Sequence, residues 1–337
     1  MHFATAQEGW ALASVQILTE SEPHYALLRT VDGGHTWTVA RRGPPAPAPN
    51  PMETPVTVVA AGEPSAQSAV LAAVASSGSG RSVAISSTSN GGDTWRTTTV
   101  ASPFVVGAMS FGWTTSTAGW MLLTGYPGLT GASTALYRTA DGGHTWARLS
   151  VFTAIGILPT GAVLDGAVGW LTGQNFSTAM LSSHSGGQSW GAAPLPIPSR
   201  VNADTDPAIV ARSGAVEVPV VLYLSHGRWG FNLYHRLSAG AWAASTTLQL
   251  APPAGPGVVY AAAGSRRVWV MGAHTLYGTT SAGSSWQRVS RPPRPWSLMD
   301  FLSSGEGWAI AAGGRPALSH TTDGGVHWTA MPFTVTR

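Results

Sequence analysis

One eight-residue phrase recurs along the chain, and that repetition constrains the fold more than any other feature. Thr30-Val31-Asp32-Gly33-Gly34-His35-Thr36-Trp37 returns nearly unchanged as Thr139-Ala140-Asp141-Gly142-Gly143-His144-Thr145-Trp146 and as Thr321-Thr322-Asp323-Gly324-Gly325-Val326-His327-Trp328. Looser copies end at Trp95, where Asn90 replaces the aspartate, and at Trp190 and Trp286, where Ser185 and Ser281 replace it. A seventh copy, ending at Trp242, is one residue short. The closing tryptophans follow one another at intervals of 42 to 58 residues. Such a period marks a stack or ring of one supersecondary unit that cannot bury its apolar face alone.

Each phrase reads as hairpin chemistry. A Thr or Ser ends one strand, the Asp accepts hydrogen bonds from N–H groups of its own turn, and the glycines take positive φ. The Trp opening the next strand buries a large ring beneath the hairpin. A second repeated element precedes several copies: Glu8-Gly9-Trp10-Ala11-Leu12, Gly119-Trp120-Met121-Leu122, Gly169-Trp170-Leu171, Val268-Trp269-Val270 and Glu306-Gly307-Trp308-Ala309. These short apolar runs read as buried strands.

Each repeat is therefore expected to be a four-stranded antiparallel meander. The first should place strands at Met1–Thr5, Gly9–Val15, Tyr25–Thr30 and Thr36–Ala40. Ala69–Ala75 and Ser82–Ser87 are expected in the second, and Val216–Leu224 and Phe231–Arg236 in the fifth and most degenerate. The whole is expected to be one all-β domain, a seven-bladed β-propeller, with blades at about 1–42, 56–100, 105–150, 161–194, 208–248, 257–290 and 297–337. Met1 falls inside the first strand and leads straight into repeat sequence without a signal peptide, so the first blade is expected to be clipped at its start, as in a mature or trimmed form. Phe333–Thr336 is expected either to extend the last strand or to help close the ring.

The phrase matches Ser/Thr-x-Asp-x-Gly-x-Thr-Trp, the motif of the Asp-box or BNR repeats of β-propellers, fully at Trp37 and Trp146 and with His327 in place of Thr in the last copy. The Gly-Trp strand, the Ile/Leu-x-x-Thr strand and the Asp-Gly-Gly-x-Thr-Trp turn together resemble the photosystem II stability and assembly factor family and its bacterial relatives, over essentially the whole chain. The resemblance implies a non-catalytic binding platform with an arginine-rich surface for membrane-protein partners. It implies scaffold roles for Asp32, Trp37, Asn90, Trp95, Asp141, Trp146, Trp190, Trp242, Trp286, Asp323 and Trp328. The turns built on Asn90, Ser185 and Ser281 should be weaker than the rest without unmaking the fold.

Composition excludes several classes. Only 10% of residues are charged, all 18 basic residues are Arg, and the net charge of +3 is too small for long-range attraction to nucleic acid. With no cysteine there are no disulfides, thiolate metal sites or cysteine nucleophiles. That fits an exported protein and many cytosolic ones alike; an extracytoplasmic or cell-envelope location is the expectation. No apolar run reaches membrane-spanning length. The ten His show no metal-ligand spacing, and the Gly-Gly pairs sit in hairpins rather than phosphate loops. No cofactor or metal is expected, and the protein is expected to be a monomer.

In an antiparallel meander the first and third turns share one end of the blade, and the longer connections share the other. The Asp-Gly-Gly turns are punctuation at the first end, so function is sought at the second. The expected loops there are Ser14–His24, the polyproline-like Arg41–Pro55, Gly125–Ser133, Pro194–Pro207 and Arg288–Trp296. They bring Arg41, Arg42, Arg200, Arg291 and Arg294 to one face, beside Trp296, which belongs to neither repeated element. Arginine forks suit carboxylate and phosphate groups, and an aromatic ring adds stacking. The leading expectation is a non-enzymatic scaffold holding a protein or glycan partner on that face.

The alternative is a glycoside hydrolase of sialidase-like or xyloglucanase-like type. Retaining and inverting glycosidases of the usual kind need two carboxyl groups roughly 5 to 9.5 Å apart, whereas a sialidase uses a Tyr–Glu nucleophile pair and an acid Asp. Asp204 and Asp206, two residues apart in an extended loop, are the weak catalytic candidates at roughly 7 Å by strand rise. A sialidase also needs three arginines on its substrate's carboxylate, whereas Arg29 and Arg138 occupy equivalent positions of two repeats and read as repeat residues. Glu8 and Glu306 are repeat equivalents as well.

Overall fold

Glycine-bounded turns cut the chain into short strands, each alternating or wholly apolar according to whether one or both faces are covered. The computed structural model describes residues 1–15, 24–45, 59–74, 81–128, 131–174, 180–198, 201–205, 209–210, 216–237, 241–252, 258–264, 266–313 and 316–336. Seven antiparallel sheets follow in chain order. The first holds β1 (His2–Phe3), β2 (Gly9–Val15), β3 (His24–Thr30) and β4 (Thr36–Pro45). The second holds β5 (Val59–Gly62), β6 (Ala69–Val74), β7 (Ser82–Thr88) and β8 (Arg96–Ala101). The third holds β9 (Val106–Trp113), β10 (Gly119–Pro127), β11 (Gly131–Thr139) and β12 (Ala147–Ile155). The fourth holds β13 (Leu158–Asp165), β14 (Val168–Gln174), β15 (Leu181–Ser183) and β16 (Gly191–Ala192).

The degenerate fifth sheet has six strands: β17 (Asn202–Thr205), β18 (Ile209–Val210), β19 (Val216–Tyr223), β20 (Trp229–Arg236), β21 (Trp242–Ala244) and β22 (Leu248–Leu250). The sixth returns to four, with β23 (Val259–Ala263), β24 (Arg267–Met271), β25 (Leu276–Thr279) and β26 (Gln287–Ser290). The seventh is β27 (Trp296–Phe301), β28 (Gly307–Ala311), β29 (Leu318–Thr321) and β30 (Thr329–Met331). The last strand, β31 (Thr334–Thr336), leaves this sheet and lies parallel to β4, pairing Thr334 with Thr36, Val335 with Trp37 and Thr336 with Thr38. The first sheet thereby gains a fifth strand. The fold class is the seven-bladed β-propeller. Among the described residues the one helical element is the 3-10 turn Ser225–Gly227, and no helix is long and apolar enough to cross a membrane.

By contacts the chain divides into two compact units. One comprises His2–Trp170, Ser182–Gly191 and Thr334–Arg337, and holds the first three sheets and β31. Its core includes Val70, Ile85, Val106, Met121, Leu123 and Tyr137. The other comprises Met1, Leu171–Leu181 and Ala192–Phe333, and holds the last three sheets. Its core draws on Trp269, Phe301 and Leu276 in one cluster and Phe231, Leu233 and Val268 in another.

The Gly-Trp strands also tie blade to blade. The Trp10 indole N–H donates to Ser65 O at 3.1 Å and Ala66 O at 3.2 Å in the second blade. Trp120 donates to Ala162 O at 2.7 Å, and Trp269 to Gly324 O at 2.8 Å. A buried indole would otherwise leave an unsatisfied donor, so each ring carries both the apolar contact and its partner.

The Asp-Gly-Gly turns have the geometry their residues dictate. Thr30 Oγ1 donates to Asp32 Oδ1 at 2.9 Å and accepts from Gly34 N at 2.9 Å, while Thr36 N donates to Asp32 Oδ1 at 2.8 Å. Gly33 and Gly34 stand at φ +73° and +100°, where an L side chain is strained. The Trp37 indole N–H closes the turn on Gly34 O at 3.0 Å. Asn90 reproduces the same bonds in the second blade, with Thr94 N on Asn90 Oδ1 at 3.0 Å. Ser185 and Ser281 also hold theirs, through Ser189 N at 2.9 Å and Ser285 N at 3.2 Å. The sixth turn departs at two points: Ala282, not glycine, takes φ +53°, and Trp286 donates to Thr246 O. Residues 238–240 of the fifth turn lie outside the described residues.

Candidate functional site

The strongest candidate is the far half of β4. This strand was expected to end at Ala40, with a proline-rich loop starting at Arg41, but it runs through Arg41 and Arg42 to Pro45. The reason is position: β4 is the outermost strand of its meander, and an edge strand tolerates proline because its outward N–H needs no ladder partner. β31 covers β4 only at Thr36–Thr38. Among the described residues no strand pairs with the outer edge of β4 beyond Thr38. Val39, Ala40, Arg41 and Arg42 line an open groove of about 320 Å³ there.

The two arginines of that reach differ in exposure. Arg41 is half-buried and tied down: its Nη2 donates to Ser86 Oγ at 3.0 Å and Thr97 Oγ1 at 3.2 Å, and its guanidinium carbon lies 5.7 Å from the Trp95 ring centroid. It packs the first blade onto the second instead of standing free in a loop, a correction to the expectation. Arg42 is exposed.

Arg291 and Arg294 lie where they were expected, exposed on the connection from β26 to β27. Trp296 does not serve beside them as a binding ring. It opens β27, is 5% exposed and stands 4.2 Å from the Trp328 ring, inside a core cluster. Its face is already covered, so the expected partner contact is withdrawn. Arg200 lies outside the described residues, and the two arginine pairs belong to different units.

The carboxylate candidates separate in the same way. Asp204 lies on β17 rather than in a loop, paired across the ladder with Val221, and the Tyr223 hydroxyl donates to its Oδ2 at 2.6 Å. Asp206 lies outside the described residues. Asp165 ends β13 and Asp300 lies in β27. Gly125–Ser133, expected as a long loop, is mostly strand, since β10 reaches Pro127 and β11 begins at Gly131. Arg29 is a structural repeat residue as read: it donates to Gly91 O and to Glu8 Oε1, each at 3.0 Å. Among the described residues no three His, Asp or Glu side chains gather as metal ligands would.

One titratable residue escaped the sequence reading. Glu217 sits on β19 directly across from His235, where other blades pair Trp10 with Arg29 or Trp120 with Arg138. It is 3% exposed, its Oε2 has no hydrogen-bond partner among the described residues, and burial pushes its carboxyl up to about 7. Aligning the repeats on their strand-opening tryptophans would have exposed this carboxyl in a tryptophan's place. The fifth repeat has drifted too far for the motif alone to show it.

No protein-family model matches the sequence, and no curated protein matches it either. Among solved structures, YCF48 bound to a D1 peptide aligns at 14% identity with a TM-score of 0.52, covering 94% of each chain. YCF48 from Cyanidioschyzon merolae aligns at 17% identity with a TM-score of 0.49, covering 93% of this chain and 98% of that one. A Hadza microbial sialidase aligns at 11% identity with a TM-score of 0.47, covering 73% of this chain and 65% of that one. At 14% identity the first likeness is one of fold: the chain shares a β-propeller with a peptide-binding protein, and its function must be argued from its own side chains.

Proposed function

We infer that the protein is a non-catalytic binding scaffold that takes a protein partner at the blade ends opposite the Asp-Gly-Gly turns. The observation that carries this reading is the reach of β4 from Val39 to Pro45, which no described strand covers, flanked by Arg41 and Arg42 and continuing the line on which β31 already lies. An extended segment adding to such an edge gains backbone hydrogen bonds, and side chains beside the edge supply specificity. Arginines in that position favour acidic residues in the partner. In the other unit Arg291 and Arg294 are likewise exposed, on the connection from β26 to β27. The solved YCF48 complex with a D1 peptide supports a peptide-binding role for this fold, and the function of this chain is argued from β4.

The test is capture from extract by the immobilised protein, with Arg42→Glu and the double variant Arg291→Glu, Arg294→Glu alongside. Charge reversal should remove the captured proteins while the thermal midpoint stays within a few degrees of the parent. Equal capture by all three proteins would remove the assigned surface. Turnover of any glycan in a hydrolysis screen, abolished by Asp204→Asn, would replace the scaffold reading with a glycosidase.

A further inference from the structure

We propose that the turn end of the third blade is a binding site for a carboxylate on a short aliphatic stem, with Arg138 as its anchor. The case comes from comparing the same corner in several blades. In the first, Arg29 lies 5.6 Å from the Trp10 ring and bonds both Gly91 O and Glu8 Oε1 at 3.0 Å. Gln67 of the second blade completes the corner by donating to Glu8 Oε1 at 2.9 Å. In the seventh, Trp308, His320 and Glu306 take the same places, with His320 Nε2 3.3 Å from Glu306 Oε1.

The third blade keeps the cation and loses its partners. Trp120 pairs with Arg138 as Trp10 pairs with Arg29, but Ala118 stands where Glu8 precedes Gly9. Ala167, whose carbonyl accepts from Gly186 N as that of Gln67 accepts from Gly91 N, replaces the glutamine. Two side chains that fill and neutralise the first corner are cut back to methyl groups. A pocket of about 80 Å³ opens there, lined by Thr114, Trp120, Arg138, Leu164, Gly166 and Gly186 among others.

Arg138 has not folded into the space. A Cβ built on Gly91 would meet Arg29 Nη1 at 2.3 Å, and one on Gly324 would meet Arg267 Nη2 at 2.8 Å. At Gly186 the one atom within 4 Å is Gly166 O, at 3.5 Å. Among the described residues Arg138 makes no side-chain hydrogen bond or ion pair, and its side chain is exposed.

The lining then states the ligand. Thr114 Oγ1 is engaged with Ala118 O at 3.2 Å, Trp120 Nε1 with Ala162 O, and Gly186 N with Ala167 O at 2.7 Å. Of the named lining groups, the Arg138 guanidinium is the donor with capacity to spare, and it offers a fork that matches a carboxylate. Trp120 and Leu164 give the floor an apolar surface for one or two methylene groups. The ligand does from outside what Glu8 does from within, and it comes either as a free short-chain acid or as an acidic side chain of an extended peptide.

The experiment is a titration of the whole protein with propionate at low salt, followed by NMR at the Arg138 Nε–H and the Trp120 indole N–H. A peptide carrying one glutamate and blocked termini forms a second arm, and propionamide is the uncharged control. Saturable shifts in the millimolar range are expected at Arg138 and Trp120 with both acids, and none at Arg29, which already holds Glu8. The tighter of the two arms identifies the source of the carboxylate. Ala118→Glu should close the site by supplying the internal carboxylate, and Arg138→Met should weaken binding at least tenfold. Because Arg138 is exposed, the second variant keeps its fold. Equal shifts with propionamide, undiminished binding in Ala118→Glu, or no saturation up to about 100 mM, far above millimolar affinity, would overturn the proposal.

Discussion

At the scale of single residues, two side chains sit against their own preference. Glu217 is an acid in a place built for an indole. An unfolded chain ionises it near 4.5, whereas the folded protein holds the proton to about 7. Between those values the unfolded state has released a proton that the native state still binds, so stability falls as pH rises through this window. Glu217→Gln removes the ionisation and keeps the shape. Its denaturation midpoint should match the parent near pH 4.5 and exceed it at pH 8, and parallel curves at the two pH values would refute the assignment. Ala282 is the second case, an alanine at φ +53° where the other described turns carry glycine. Ala282→Gly should stabilise the protein by about 0.5–1 kcal/mol, read from the urea midpoint, because relief of left-handed strain outweighs the added freedom of the unfolded chain.

At the scale of the element, the Asp-Gly-Gly turn is a small closed circuit of hydrogen bonds. Asp141 accepts from Thr139 Oγ1 at 2.8 Å, Thr145 N at 2.9 Å and Thr145 Oγ1 at 2.6 Å. Asp141→Ala should lower stability by about 1–2 kcal/mol. Asp141→Asn should cost less than half of that, since Asn90 already makes the corresponding bonds; comparing both midpoints with the parent checks the order. These turns and the strands between them were legible because their requirements are local: φ sign at a glycine, an acceptor two residues on, a ring three residues after a carbonyl. Arg41 and Trp296 were misread for the complementary reason. Proline-rich sequence looks like loop, and only the place of β4 at the edge of its sheet makes it strand. Trp296 lacks a repeat signature, yet its burial depends on Trp328, 32 residues away in the outer turn of the same blade. The truncated corner around Arg138 brings together Ala118 of the third blade and Ala167 of the fourth, a pairing that no local motif encodes.

At the scale of the molecule, the first and last parts of the chain share one sheet. Thr334 N donates to His35 O at 3.0 Å, and the Thr38 and Thr336 hydroxyls meet at 3.3 Å. A chain ending at Phe333 should lose a few degrees of thermal midpoint, seen by calorimetry, because three ladder positions disappear from one edge. An unchanged midpoint would mean that β31 decorates the first sheet without holding it. The pairing also sets an order of events during synthesis. The ribosome releases residues 36–38 long before residues 334–336, since Thr336 follows Thr38 by 298 positions. Until the last strand emerges, that edge of the first blade is an unoccupied template for any other extended chain nearby. A nascent molecule is therefore vulnerable to mispairing at the outer edge of its first sheet until residues 334–336 have been made and docked on Thr36–Thr38.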